Sequence, residues 1–343
     1  MPTSLAWPDP TRPVRTIAFT AVLALCFALA CSEDKPGAEP SPGETEPFKS
    51  VEAVANAPGT FSAPRVGAPL ADGSVVLIAT AEGASALDAP EFGERDAILK
   101  QAPGSAAPEL LYSGDALVNP LDLAVSLDEK TLYIADPAGG LDGNGAISTL
   151  AVAGGEPTQI LGGYAPRAVT VADDGRVYFS GVSAESGEPG VFELSDGVAH
   201  GLFEGAPFVD PSGIAVDANG VLFVADTRLF DRTESVGSEA GIVRVQAGQA
   251  NIIASGFATG YPAGVALTRD DKTLIVSGEG ADRSDTVFLV DVADPGADAR
   301  AVTGEFSRYQ DASAGLKRAH SDNTFIWASL AANGGTVFRI VAN

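Results

Sequence analysis

The sequence predicts an all-β chain folded as a six-bladed β-propeller, four antiparallel strands per blade, and three observations carry that prediction. First, a strand–turn–strand unit recurs six times, opening at Pro64, Pro120, Pro166, Pro211, Pro262 and Ser313; successive starts lie 56, 46, 45, 51 and 51 residues apart, a propeller-blade period. Second, 39 Gly and 23 Pro punctuate the 343 residues, and between them run short apolar segments with no helical periodicity. Third, residues 51–64 (VEAVANAPGTFSAP) match the fourth-strand stretch 249–262 (QANIIASGFATGYP) without a gap. The chain thus begins with the strand that its last unit lacks.

Composition narrows the classes further. A content of 45% hydrophobic residues is enough to bury a sizeable core and excludes wholesale disorder, while two Cys exclude a disulfide-stapled scaffold. With 45 acidic against 21 basic residues the net charge is −24, so nucleic acid is excluded as the main partner by repulsion.

In chain order, residues 1–30 read as an export signal: Arg12 and Arg15 form the positive flank, and residues 16–30 (TIAFTAVLALCFALA) form an uncharged apolar run shorter than the ~20 residues of a bilayer span. The run ends in Ala28-Leu29-Ala30-Cys31, which resembles a bacterial lipobox, with Cys31 as the acylated residue. Cys26 follows Leu25, too bulky for the cleavage position. Residues 31–50 continue as an acidic Pro/Gly tether of disordered composition. The expected location is the bacterial cell envelope, exported and held by lipid; Ser32 after the Cys favours the outer membrane.

The propeller is expected over residues 51–343. Blade one opens with PRVGAPLADGSVVLIA (64–79), turning at Asp72-Gly73; blade two with PLDLAVSLDEKTLYIAD (120–136); blade three with PRAVTVADDGRVYFSG (166–181), turning at Asp173-Asp174-Gly175. Blade four opens with PSGIAVDANGVLFVAD (211–226), turning at Asn219-Gly220; blade five with PAGVALTRDDKTLIVSG (262–278); blade six with SAGLKRAHSDNTFIWAS (313–329). Asp-Gly and Asn-Gly between apolar runs are hairpin signals. Third strands follow at 190–194, 241–245 and 286–290, and a weaker fourth at 251–254. Blade six ends on its third strand at 335–341; residues 51–55 are expected to pair with that strand and close the ring, removing two sheet edges.

The phrases at 211–226 and at 264–276 (GVALTRDDKTLIV) resemble NHL repeats and the propellers of the gluconolactonase, or senescence-marker, family. The likeness spans about 290 residues. It implies a six-bladed ring whose members range from binding platforms to lactonases with an axial divalent metal held by Glu and Asn, an Asn following the repeat-opening Pro and an Asp serving as base. Here that column reads Arg65, Leu121, Arg167, Ser212, Ala263 and Ala314, with no Asn.

The same column places Arg65 and Arg167 two blades apart at the channel mouth. Blade six adds Lys317 and Arg318 where the other inner strands carry Ala124, Thr170, Ala215 or Ala266 followed by an apolar residue. A Lys there is costly to bury unless paired or solvated. Two uses stand open for the four cations: an axial pocket for a carboxylate or phosphate, or pairing with acids such as Asp122 and Glu305. His320, at the end of the same strand, is the one candidate acid or base; His200 follows a third-strand turn and reads as surface. Acidic loops after the second strands (Glu82, Asp88, Glu91, Glu94 and Asp96; Asp136 and Asp142; Asp226, Asp231, Glu234 and Glu239; Glu279, Asp282 and Asp285) and the stretch LDGNGA at 141–146 make Ca²⁺ the one cofactor the sequence admits; Asp136 and Asp226, at strand ends, also suit bonding to nearby amides.

No zincin, nucleophile-elbow, phosphate-loop or Cys-x-x-Cys motif is present. The expected function is therefore a lipid-anchored binding or interaction scaffold, with a protein, peptide, glycan or small anion as partner. The alternative is a lactonase or ester hydrolase with a rearranged axial site.

Overall fold

The computed structural model describes residues 48–56, 61–81, 96–141, 143–230, 240–279, 285–294, 299–301, 313–329 and 335–342. The leader, Cys31 and the tether up to residue 47 lie outside the described residues. After β1 (Phe48–Asn56), blade one comprises β2 (Phe61–Pro69), β3 (Val75–Ala81), β4 (Asp96–Gln101) and β5 (Glu109–Tyr112). Blade two is β6 (Asp122–Val125), β7 (Thr131–Asp136), β8 (Ala146–Ala151) and β9 (Thr158–Gly162); blade three is β10 (Tyr164–Val171), β11 (Val177–Ser183), β12 (Pro189–Ser195) and β13 (Val198–Glu204). Blade four is β14 (Pro211–Val216), β15 (Leu222–Asp226), β16 (Ala240–Gln246) and β17 (Gln249–Phe257); blade five is β18 (Val265–Leu267), β19 (Thr273–Glu279), β20 (Asp285–Asp291) and β21 (Arg300–Ala301). Blade six is β22 (Ser313–Arg318), β23 (Thr324–Ser329) and β24 (Thr336–Ala342), completed by β1 in the order β1-β24-β23-β22. Every pairing is antiparallel between neighbours, which makes six meandering four-stranded sheets.

The turns form where the sequence supplies a side chain that mimics a backbone turn. Asp72, Asp128, Asp174, Asp270 and Asp322 each accept from the amide two residues on, at 2.8–3.3 Å. The Ser74 amide in this way holds the Asp72 carboxyl below its ordinary value, and the Arg176 amide does the same to Asp174. Gly73, Gly175 and Gly220 supply the left-handed backbone that follows, with φ of 81°, 89° and 79°.

The core is divided as the ring is. Six apolar clusters lie one between each pair of neighbouring blades: Val66, Ile78 and Leu132 between blades one and two, Phe223, Phe257 and Phe288 between four and five, Trp327, Phe338 and Ile275 between five and six. Towards the axis the inner strands approach until little but glycine fits. A Cβ on Gly264 would come within 2.2 Å of Ser277 Oγ and 2.7 Å of the Ala314 carbonyl, and one on Gly315 would lie 2.9 Å from the Arg65 carbonyl.

Ring closure follows the expected register: Val51 faces Ile340, Ala53 faces Phe338 and Ala55 faces Val337. The closing strand starts three residues earlier than expected, at Phe48, because the Phe48 ring packs with Val51 against the core between blades five and six. Removing residues 48–56 should strip β24 of its outer neighbour and uncover Val337. We expect loss of soluble monomer on size exclusion and a lowered Tm; a soluble monomer with an unchanged melt would refute the closure.

Candidate functional site

The residue four positions after each repeat opening lines the axial cavity: Ala68, Ala124, Thr170, Ala215, Ala266 and Lys317. Five are small. The sixth reaches across the ring, its Nζ 2.6 Å from Asp122 Oδ2 of blade two and 2.8 Å from the Val169 carbonyl of blade three, which faces blade six. Asp122 Oδ2 also accepts the Val169 amide at 2.8 Å. The pair is buried, with side chains 12% and 3% exposed for Lys317 and Asp122. Burial pushes the Asp122 carboxyl above its ordinary value, and the Lys317 ammonium beside it opposes that rise.

The next residues of blade six cross the ring as well. Arg318 Nη2 stands 3.8 Å from Asp173 Oδ1 of blade three, and His320 Nε2 lies 2.9 Å from the Val125 carbonyl of blade two. A ring nitrogen facing a carbonyl must donate, so Nε2 carries the proton and Nδ1 is left to accept. Lys317, Arg318 and His320 wall a cavity of about 60 Å³ together with the ends of the other inner strands. Its rim is the set of turns between first and second strands, where Asp173 stands half exposed.

Arg65 and Arg167 do not line this cavity. Each lies three or more residues nearer the start of its strand, about 10 Å or more away along a rise of roughly 3.3 Å per residue, and each braces neighbouring loops. Arg65 donates to Asn119 Oδ1 at 2.6 Å and the Pro120 carbonyl at 2.9 Å, and pairs with Asp96 at 3.1 Å. Arg167 pairs with Asp210 at 3.1 Å, bonds the Tyr261 hydroxyl and lies over the Tyr261 ring. Burial raises the Asp96 carboxyl against the pull of Arg65, and likewise the Tyr261 phenol against that of Arg167. The four cations thus separate into two pairs, one at each end of the inner strands. Asn119, Asp210 and Tyr261 each immediately precede a repeat-opening Pro, a column of the repeat that the expected site does not include.

The loops at the Arg65 and Arg167 end also carry Val118, Leu141, Phe230 and Tyr261, which are among the exposed large apolar side chains. Of the acidic loops there, Asp142 and residues 82–95, 231–239 and 280–284 lie outside the described residues, as does Glu305. Asp136 accepts from the amides of Val118, Asn119 and Ala138, and Asp226 from those of Val209, Asp210 and Arg228, at 2.6–3.1 Å. Both carboxylates are saturated by backbone. Among the described residues no group of three or more His, Cys, Asp or Glu is placed to hold a metal ion. The axial divalent metal implied by the lactonase resemblance does not fit the residues present, because the carboxylate that reaches the channel, Asp122, is already held by an ammonium ion. His200 is exposed on β13.

No family model matches the chain, and no curated protein matches it. Solved structures do. A gluconolactonase from Xanthomonas campestris is 15% identical with a TM-score of 0.50, over 87% of this chain and 99% of that one. A protein assigned as TolB from Agrobacterium tumefaciens is 15% identical with a TM-score of 0.53, over 82% and 91%. A protein assigned as an oxidoreductase of glucose dehydrogenase type from Thermus thermophilus is 12% identical with a TM-score of 0.55, over 85% and 99%. At these identities the likeness is one of fold, and places the chain in the architectural class of six-bladed propellers.

The crossed pair makes a pH-dependent prediction. Asp122 has a folded pKa above the unfolded value of about 3.9, so the stability it contributes is full below that value and is lost as pH rises through the folded pKa. Lys317→Met should deepen the loss, costing about 3–5 kcal/mol near pH 8 and much less near pH 4. Adding Asp122→Asn should restore most of it and flatten the pH dependence, as read by urea melts across that range.

Proposed function

We propose that the chain is an exported, lipid-anchored binding propeller, tethered through Cys31 and residues 31–50 in the cell envelope and working as an interaction scaffold, with an anion pocket on its axis at Arg318, above the Lys317–Asp122 pair. The observation that carries this reading is the ammonium–carboxylate pair of Lys317 and Asp122 across the channel. An enzyme of the related lactonase type needs a charged, open centre there; this chain fills that centre with a self-neutralised bolt and leaves its chemistry to the two ends of the channel. The end with Arg65 and Arg167 supports docking, since its loops combine exposed Val118, Leu141, Phe230 and Tyr261 with internally satisfied charges, a mixture suited to a protein, peptide or glycan surface. The opposite end supports the anion.

One observation favours a second reading, a lactone or ester hydrolase with a rearranged site. His320 lines the cavity with Nδ1 left to accept a proton, one residue beyond Ala319 from Arg318, which pairs a candidate base with a candidate oxyanion donor.

Two measurements test these readings. Cys31→Ser should move the protein from the membrane fraction to the soluble envelope fraction and abolish incorporation of labelled palmitate; retention in the membrane would overturn the anchor. Metal analysis of the purified protein with a screen of lactones and carboxylic esters should give neither stoichiometric metal nor turnover. Turnover that His320→Asn abolishes would establish the hydrolase instead.

A further inference from the structure

We infer that the cavity between Lys317, Arg318 and His320 receives the carboxylate group of a small monoanionic ligand, and selects it against phosphate. The inference rests on the anion-pocket reading and adds the valence, the size and the direction of entry of the ligand.

The donor is Arg318. Among the described residues its Nη1 is buried without a hydrogen-bond partner, and its Nη2 is held by no contact shorter than the 3.8 Å one with Asp173. A buried guanidinium donor left open is costly, and an incoming acceptor recovers that cost. Because the guanidinium would give up only a long contact, it can turn towards an oxyanion at small cost, and its planar fork suits the two oxygens of a carboxylate. Asp173 is shared: Arg269 Nη1 stands 3.9 Å from the other oxygen of the same carboxylate and also donates to the His320 carbonyl. Burial lowers the pKa of Arg318, opposed first by Asp173.

Size is set by the cavity. At about 60 Å³ it holds a few waters, at roughly 10–15 Å³ of such volume each, or one terminal carboxyl group. The rest of the ligand must stay outside the rim. The floor is Lys317, whose ammonium is committed to Asp122 and Val169 and is not free to move.

Valence is set by the acids around the guanidinium. Asp173, Asp271 and Asp322 all act on Arg318, with Arg269 as the other nearby cation. Three carboxylates against two guanidinium groups leave this rim with a net negative charge, so the field opposes a second negative charge on the ligand about twice as strongly as one, in a chain that already carries −24. A phosphate dianion meets more repulsion here than a carboxylate does.

Titration calorimetry on the full chain in detergent at constant ionic strength, near pH 7.5, tests this. Acetate and propionate should bind saturably at one site, inorganic phosphate at least tenfold more weakly, and Arg318→Gln should weaken acetate at least tenfold, while Arg244→Gln, on the third strand of blade four, should leave its affinity within twofold. A melt of Arg318→Gln matching the parent confirms that the variant is folded; should it unfold, Arg318→Lys, which keeps the charge and removes the fork, is expected to lose acetate in the same way. Phosphate binding as tightly as acetate with Arg318 still required would overturn the carboxylate selection and leave the anion pocket standing. Binding of neither anion, or acetate binding indifferent to Arg318, would overturn both.

Discussion

A ring of six sheets is stable only if its last sheet finds a fourth strand, and here that strand comes from the opposite end of the chain. The pairing of β1 with β24 converts an open arc into a closed cycle of six sheet-to-sheet interfaces, each with its own apolar cluster. Without it, the cluster holding Ala55, Phe61, Leu77 and Val337 loses one wall. Closure also sets the width of the channel. The inner strands of blades four to six come so near one another that Gly213, Gly264 and Gly315 face the carbonyl or backbone of the following blade, a spacing that an open arc has no reason to keep.

A channel this narrow leaves room for few side chains, and the chain uses that room for contacts that cross the axis. Lys317, Arg318 and His320 leave one strand of blade six and reach Asp122, Val169, Asp173 and Val125 in blades two and three. Neighbouring blades are held by apolar packing, whereas these cross-ring bonds tie blades that share no sheet face. The two kinds of contact are complementary: dispersion and burial resist separation of neighbours, while a directional charge pair resists shear of one half of the ring against the other. That division explains why a buried ion pair, with little net gain expected over an apolar pair, sits in the middle of the ring rather than at its periphery.

The fold was legible in the sequence because its units are periodic and local. An apolar strand, an Asx turn and a second apolar strand ending near Ala-Asp are each specified within some 16 residues, and the closing strand was legible from its gapless match to 249–262. The start of that strand was misplaced by three residues, since Phe48 lies in a stretch whose Pro, Gly and Glu content resembles the tether, and its burial depends on partners at the far end of the chain, Ala342 among them. For the site, Lys317 stood out as the single long side chain in a column of Ala and Thr, and Asp122 was among the acids considered for it. The separation of the cations was not legible. Position along a strand gives height in the channel, but whether Arg65 meets a ligand or Asn119 and Asp96 depends on loops from other blades. The polar residues before three of the opening prolines, Asn119, Asp210 and Tyr261, were the available signal.

The charge distribution brings fold and proposed function together. A chain with 45 acids and 21 bases gains nothing by scattering its cations, and several of them are used where one positive charge can satisfy two or three acceptors at once. Arg65 serves Asn119, Pro120 and Asp96; Lys317 serves Asp122 and Val169; Arg339 joins Glu52 of the closing strand to the Gly73 carbonyl of blade one. Each of these joins parts of the ring distant in sequence, so the cations act as fasteners in an otherwise self-repelling body. Arg318 departs from that pattern. It reaches across the ring as Lys317 does, yet it ends on a shared carboxylate at long range with one donor unused. With Lys317 beside it committed to Asp122 and Val169, an unsaturated guanidinium at the edge of the cavity is the place where internal pairing of charge stops and recognition of something outside the chain can begin.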